Sequence, residues 1–280
     1  MRSSGIELTL STQNIKKKDF SWNTDFIFSK TKNEITDLKS HANVLDLISG
    51  NGFGREGYPV RALFSIPFAG LTEDGLPTFI NQDGQRTIST LNFQEYEKLG
   101  FLKYEGPTDP TITGSFGNIL TYKNFKLNVF LTYSFGNVIR LDPVFSSAYS
   151  DLDAMPKEFK NRWMKAGDEN TTNIPTIVSY RMNQQYAYLN MAYNAYNYSD
   201  VRIADGGFIR LKEISLSYDL PAKVLSFFRL NKLQFKIQAT NLFLLYADSK
   251  LNGQDPEFFR SGGVSTPVPR QFTFTIRLGL

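Results

Sequence analysis

Apolar and polar residues alternate with a period of two along several stretches of the chain. The stretch 270–280 is the cleanest: Phe272, Phe274, Ile276, Leu278 and Leu280 fall on one face of an extended strand, with Gln271, Thr273, Thr275, Arg277 and Gly279 on the other. Near the start, Ile6, Leu8 and Leu10 alternate with Glu7, Thr9 and Ser11. After the polar connection 16–19, Phe20, Trp22, Phe26 and Phe28 return against Ser21, Asn23, Asp25 and Ser29. A second hairpin runs from Ile112, Gly114, Phe116, Leu120 and Tyr122 through the turn Lys123-Asn124. It comes back with Phe125, Leu127, Val129, Leu131, Tyr133 and Phe135 on one face. A third places Ile214, Leu216, Tyr218 and Leu220 before the compact connection 221–232, and Leu233, Phe235, Ile237 and Ala239 after it. The pattern predicts seven antiparallel strands of about 10 to 16 residues, a length that suits tilted strands crossing a bilayer.

The connections differ in length. Short ones near Lys16, Lys123 and Pro221 alternate with long ones at 31–110, 136–205 and 247–269, which is the asymmetry of an outer-membrane barrel with short periplasmic turns and long extracellular loops. An unstructured connection of such length is uncommon in a compact domain, so a folded surface loop is expected at 31–110. Within it, 57–70 reads as one strand and 76–85 as its partner, closing near Asp83-Gly84. In the second long segment, 155–166 has helical spacing through Phe159, Trp163 and Met164, with Gly167 as the stop. Seven strands are odd and fewer than the roughly eight of the smallest barrels, so the chain is expected not to close alone. Both outer strands then need partners, because an open edge in lipid leaves backbone groups unpaired.

Composition agrees with strands rather than membrane helices. The hydrophobic share is 41% and mean hydropathy is −0.29, and no run approaches the roughly 18 apolar residues of a spanning helix. The 24 Phe and 14 Tyr suit strands and interfacial girdles. Net charge is +4; the densest basic cluster, Lys16-Lys17-Lys18, lies in a turn and reads as solvated rather than as a nucleic-acid patch. With no cysteine there is no disulfide framework and no thiolate metal site. The first residues lack an apolar segment followed by a small-residue cleavage site, so an export signal is expected elsewhere.

Several stretches, taken in order across nearly the whole chain, resemble the carboxy-terminal third of SusC/RagA-like TonB-dependent outer-membrane transporters. They are MRSSGIELTLSTQNIKKKDFSWNTDFIFSKTKNEIT, GYPVRALFSIPFAG, GPTDPTITGSFGN, NRWMKAGDE, ADGGFIRLKEISLSYDLP, QATNLFLLY, GQDPE and VPRQFTFTIRLGL. The resemblance implies an all-β fold in which residues 1–280 form the carboxy-terminal portion of a transmembrane antiparallel barrel, about seven strands out of about 22. It also implies a plug domain and a TonB box that this sequence does not contain, contact with TonB through that missing amino-terminal part, and a SusD-like surface lipoprotein as partner. Function follows as an expectation: part of a multi-pass outer-membrane importer of oligosaccharides or peptides, embedded in outer-membrane lipid, with no nucleic-acid partner and no cofactor. One departure is the terminal Leu280, where many such strands end on an aromatic; Phe272 and Phe274 are then the candidates for that recognition face.

Two other readings are carried. A SusC-like barrel could serve as a non-transporting scaffold in an outer-membrane complex, or the strands could form a soluble β-sandwich binding module, against which the aromatic outer rows argue. Nothing reads as an enzyme: no GxSxG, HExxH or P-loop pattern is present. The lone His41 lies in a polar loop, and the pairs Asp151/Asp153 and Asp168/Glu169 lack the full oxygen ligand run of a calcium site, so no metal site is assigned. Trp163, Tyr186, Tyr188, Tyr193 and Tyr196 are the candidate substrate-binding residues, since such rings offer a flat apolar face together with a polar group. For the tyrosines, with Tyr198, packing of the loop against the barrel rim or a partner protein is the favoured expectation. Glu7, Asp25, Lys126, Glu213, Lys236 and Arg277 are expected to line the lumen and meet the plug.

Overall fold

The computed structural model describes residues 1–50, 54–143, 157–259 and 268–279. Seven long strands form one antiparallel sheet: β1 (Arg2–Lys16), β2 (Phe20–Glu34), β3 (Ile112–Tyr122), β4 (Phe125–Phe135), β5 (Phe208–Asp219), β6 (Lys232–Ala247) and β7 (Gln271–Gly279). Their spatial order follows their chain order, so the sheet is a simple meander with β1 and β7 at its edges. The seven strands expected from the alternation are all present. β1, β2 and β6 reach 15, 15 and 16 residues, longer than the apolar runs alone outline. The extra residues of β1 and β2 are mostly polar, and backbone pairing rather than side-chain burial extends them; those of β6 are mostly apolar, Leu242 to Tyr246.

Contacts divide the chain into two compact units. The sheet belongs to one, made of Ser4–Lys32, Pro110–Gly136 and Gly206–Leu280; the other comprises Met1–Ser3, Asn33–Asp109 and Asn137–Asp205. This second unit gives the first two long connections a common core. Val44, Leu47, Ile48, Phe64, Ile66, Leu76 and Phe79 from the first pack with Phe159, Leu189, Tyr193 and Tyr196 from the second. The expected folded loop is therefore present, built from both long segments together.

Two details differ from the sequence expectation. The stretch 57–70 is two short strands, Ala62–Ser65 and Phe68–Leu71, separated at Ile66 and Pro67. Pro67 has no N–H to donate to a ladder. Ala62–Ser65 pairs with Lys103–Pro107, and only Phe68–Leu71 pairs with Pro77–Ile80, which turns back at Asp83-Gly84 to meet Arg86–Thr87. The helix expected at 155–166 is, in its described part, a short 3-10 turn, Lys157–Asn161. The backbone N–H groups that would continue it are claimed elsewhere: Trp163 N–H donates to Ile174 O (2.9 Å), while Met164 and Lys165 N–H both donate to Asp168 Oδ2 (3.0 and 3.1 Å).

Candidate functional site

The register of the sheet sorts its side chains into rows. Nearest the short turns, Phe20, Tyr122, Phe125, Tyr218, Phe235 and Ile276 stand opposite one another in succession across β2 to β7. The next row on the same face is Trp22, Leu120, Leu127, Leu216, Ile237 and Phe274, and the third is Thr24, Asn118, Val129, Ile214, Ala239 and Phe272. Phe26, Phe116, Leu131, Leu211 and Phe243 make the fourth; Phe28, Gly114, Tyr133, Ile209 and Tyr246 make the fifth. The first and fifth rows are mostly aromatic and the middle three mostly aliphatic or phenyl. Eight residues separate Phe20 from Phe28, about 27 Å of strand. At a tilt of about 40° this is a band roughly 21 Å tall, close to the ~25 Å apolar belt between the aromatic girdles of outer-membrane barrels. Aromatic contact runs within both girdles, with Phe125 and Tyr218 centroids 4.5 Å apart in one and Tyr133 and Phe135 6.1 Å apart near the other.

The face is exposed. Phe272, Phe274, Ile276 and Leu278 retain 73, 62, 55 and 58% of their surface, and Ile6, Leu8 and Leu10 at the other edge retain about half or more. A contiguous apolar surface of this kind does not belong in water. It carries one polar island, which the alternation alone does not reveal. Asn118 Oδ1 accepts from Trp22 Nε1 (2.8 Å) and Thr24 Oγ1 (2.9 Å), and Asn14 Nδ2 donates to Thr24 Oγ1 (2.6 Å). Because these polar atoms satisfy one another, their place on an apolar face costs little.

The opposite face is polar, as expected. Glu213 sits in its middle, accepting from Asn128 Nδ2 (3.2 Å) and lying 3.8 Å from Lys236 Nζ; Ser11 donates to Asp25 (2.7 Å). At the upper end of β5, Arg210 Nη2 donates to both carboxylate oxygens of Asp255 (2.6 and 2.7 Å) with Glu257 at 3.0 Å. Arg210 and Asp255 are both buried, so the loop that follows β6 is tied down to the sheet.

In the second unit the expected ligand-binding aromatics separate into two groups. Tyr193 and Tyr196 lie in the core on the helix Leu189–Asn197. Tyr193 donates to Thr176 O (2.8 Å), and burial pushes the Tyr196 hydroxyl up to about 12 despite the neighbouring Arg202 guanidinium. Tyr198 packs under the guanidinium of Arg140, 5.5 Å away. Trp163 and Tyr186, by contrast, converge on the turn 72–76. The Trp163 ring lies against Gly75, whose φ of +75° and lack of a Cβ allow the approach, and Tyr186 Oη donates to Asp74 Oδ2 (2.9 Å), which pushes the phenol upward. Tyr188 is 70% exposed.

Beside that turn is a cleft of about 650 Å³, its walls including Thr72, Glu73, Thr78, Arg86, Ile88 and Glu169. Glu169 links it to the aromatic group. Its Oε2 accepts from Trp163 Nε1 (3.1 Å) and Gly167 N–H (2.8 Å). Its own backbone N–H, followed by the indole, holds the carboxyl below the usual range. Arg86 is braced by Thr78 Oγ1 (2.9 Å) and Leu71 O (3.3 Å). Sequence reasoning missed Glu73, in a turn, and Arg86, in a two-residue strand, both too short to show periodicity, and passed over Glu169 as an acidic turn residue. His41 lies apart, on a smaller pocket with Arg55, Glu56 and Tyr96. Asp168 caps the backbone of Met164 and Lys165, and Asp151 and Asp153 fall outside the described residues.

No family model matches the chain. It is 25% identical over 92% of its length to the TonB-dependent receptor P3 of Formosa agariphila, and 26% identical over 99% of its length to the TonB-dependent receptor SusC of Bacteroides thetaiotaomicron. It spans 25 and 26% of those proteins, about a quarter of their length. Among solved structures, that of the RagAB peptide transporter superposes with a TM-score of 0.74 at 20% identity, covering 99% of this chain and 29% of the other. The RagAB peptide importer in its closed-closed state gives 0.71 at 21%. The fold is thus that of part of the antiparallel β-barrel of such receptors, and the resemblance read from the sequence stands.

Proposed function

We propose, starting from a chain that resembles SusC-like TonB-dependent receptors along nearly its whole length, that it forms part of an outer-membrane importer of oligosaccharides or peptides. The rest of the barrel and the plug would come from sequence not present here, TonB would energise transport through the amino-terminal part of such a receptor, and a SusD-like lipoprotein would cap the extracellular side. The observation that carries this reading is the five-row apolar face with an aromatic row at each end. It has the height and composition of a lipid belt, while the other face has the hydrogen-bonded polar residues suited to a hydrated interior. The open edges β1 and β7 support further strands, since in hydrocarbon a free strand edge must be paired. In this reading Trp163, Tyr186 and Tyr188, with the adjoining cleft, are the surface offered to substrate or lid. Tyr193 and Tyr196 hold that surface in place from beneath.

The test is subunit content. The chain is extracted from outer membranes and weighed by native and denaturing mass spectrometry. Retention in the membrane pellet with a plug-bearing polypeptide, and capture of a SusD-like lipoprotein, is the expected result. Recovery of this chain alone as a water-soluble, monodisperse species would sink the barrel and leave a sandwich.

A further inference from the structure

The three short connections of the meander, β1 to β2, β3 to β4 and β5 to β6, lie at one end of the sheet, beside the first aromatic row. Exposed basic residues in and beside them include Lys16, Lys17, Lys18, Lys123, Lys223 and Arg229. Against them stand Asp19, also exposed, and Asp219, which is half-buried and already accepts from Gln234 Nε2 (3.0 Å). Lys123 Nζ is 5.4 Å from the Tyr122 ring, so at least one of these charges stands directly over the girdle.

The third connection adds an apolar element. The helix Ala222–Phe228 has Leu225 half-buried, and at three-residue spacing Val224 and Phe227 share a face that is 38 and 81% exposed. A seven-residue helix is marginal in water unless a surface receives its apolar side.

We infer that this end of the sheet is a phospholipid-binding collar: the six basic side chains engage headgroup phosphates, and the helix presses Phe227 and Val224 into the acyl boundary just below the first aromatic row. The inference rests on the membrane reading above. Two features single out a lipid layer as the occupant. The basic charge complements phosphate, and the exposed apolar helix face lies at the end of the sheet where the row of Phe20, Tyr122, Phe125, Tyr218 and Phe235 stands. Lysine and arginine stems can lie along that row while their charged heads reach the phosphates.

The chain has no cysteine, so single-cysteine variants label cleanly. F227C and, in the middle of the belt, F272C are produced in outer membranes, labelled with bimane, and quenched with lipids doxyl-labelled near the headgroup or deep in the chain, or with aqueous iodide. The expected result is that F227C is quenched by the shallow lipid and shielded from iodide, and F272C by the deep lipid. If F272C is lipid-quenched but F227C answers to iodide alone, the collar is wrong and the barrel stands. If neither label meets lipid, the membrane reading fails and the collar with it. For the charges, phosphatidylglycerol carried through purification is counted by native mass spectrometry. R229Q is expected to retain it about fivefold less well, and each further Lys→Gln to compound the loss. Unchanged retention, or full displacement by inorganic phosphate, overturns the charged half of the collar.

Discussion

Arg210 and Asp255 show how one pair can fix the loop that follows β6. Both side chains are almost wholly buried, at 5 and 4% exposure, and Nη2 of the arginine serves both oxygens of the aspartate. Removing the carboxylate leaves a buried guanidinium whose remaining ion-pair partner among the described residues is the half-exposed Glu257. Asp255→Ala is therefore expected to cost about 3 kcal/mol, the lower end for breaking a buried pair. The measurement is the urea midpoint in detergent, together with faster protease cleavage after Ala247. Tyr196 gives a residue-scale pH dependence. Its folded value of about 12 lies above the ordinary phenol value of about 10, so its contribution is fully present below pH 10 and is lost as pH rises toward 12. The loss amounts to about 3 kcal/mol over that interval. Tyrosinate absorbance at alkaline pH should lose a late-titrating component in Tyr196→Phe, and the variant's stability should fall less steeply over the same range.

At the scale of elements, the strands were legible because each carries a row that must face one way, and a slip of one residue would invert it. What the alternation could not show is where a strand departs from period two. Leu211 pairs with Phe243 but Glu213 pairs with Thr240, so one residue of β5 faces two of β6, and Asn241 takes φ +54° in the middle of a strand. Asparagine tolerates that region better than other non-glycine residues. Asn241→Val is expected to destabilise by about 1–2 kcal/mol, and Asn241→Gly by much less, in the same urea titration. The loop unit was harder to read for a related reason. Its elements are two to nine residues long and are held by contacts between segments far apart in sequence, such as Arg140 donating to Phe64 O and Ser199 O. For Tyr193 and Tyr196 the ligand and packing readings both stood open, because a tyrosine-rich sequence is the same whether its rings face a core or a solute. Only the helix Leu189–Asn197, with its buried side, decides between them. Its capping chemistry gave no warning either, since Tyr188 begins it with a left-handed backbone and no side-chain cap.

For the whole molecule, the membrane reading makes the two faces of one edge strand unequal in a way that exposure to water would not. On β7, Phe274 belongs to the apolar belt and Thr273 to the polar face, and both are exposed in this sheet. In a water-soluble module, a lysine at either position would keep its charge hydrated, and the two substitutions would cost similar amounts, mostly within about 0.5 kcal/mol for surface changes. In a bilayer they part. Phe274→Lys forces an ammonium toward hydrocarbon at a cost of about 2–4 kcal/mol if the row lies near the midplane, falling toward about 1 nearer the interface. Thr273→Lys meets the hydrated, hydrogen-bonded face that already holds Lys236 and Glu213. The expected outcome is a large loss of heat-resistant, membrane-inserted protein for the first variant and near-wild-type yield for the second. Equal behaviour would mean that both faces of β7 meet the same medium, and the belt, the collar and the importer would all have to be given up together.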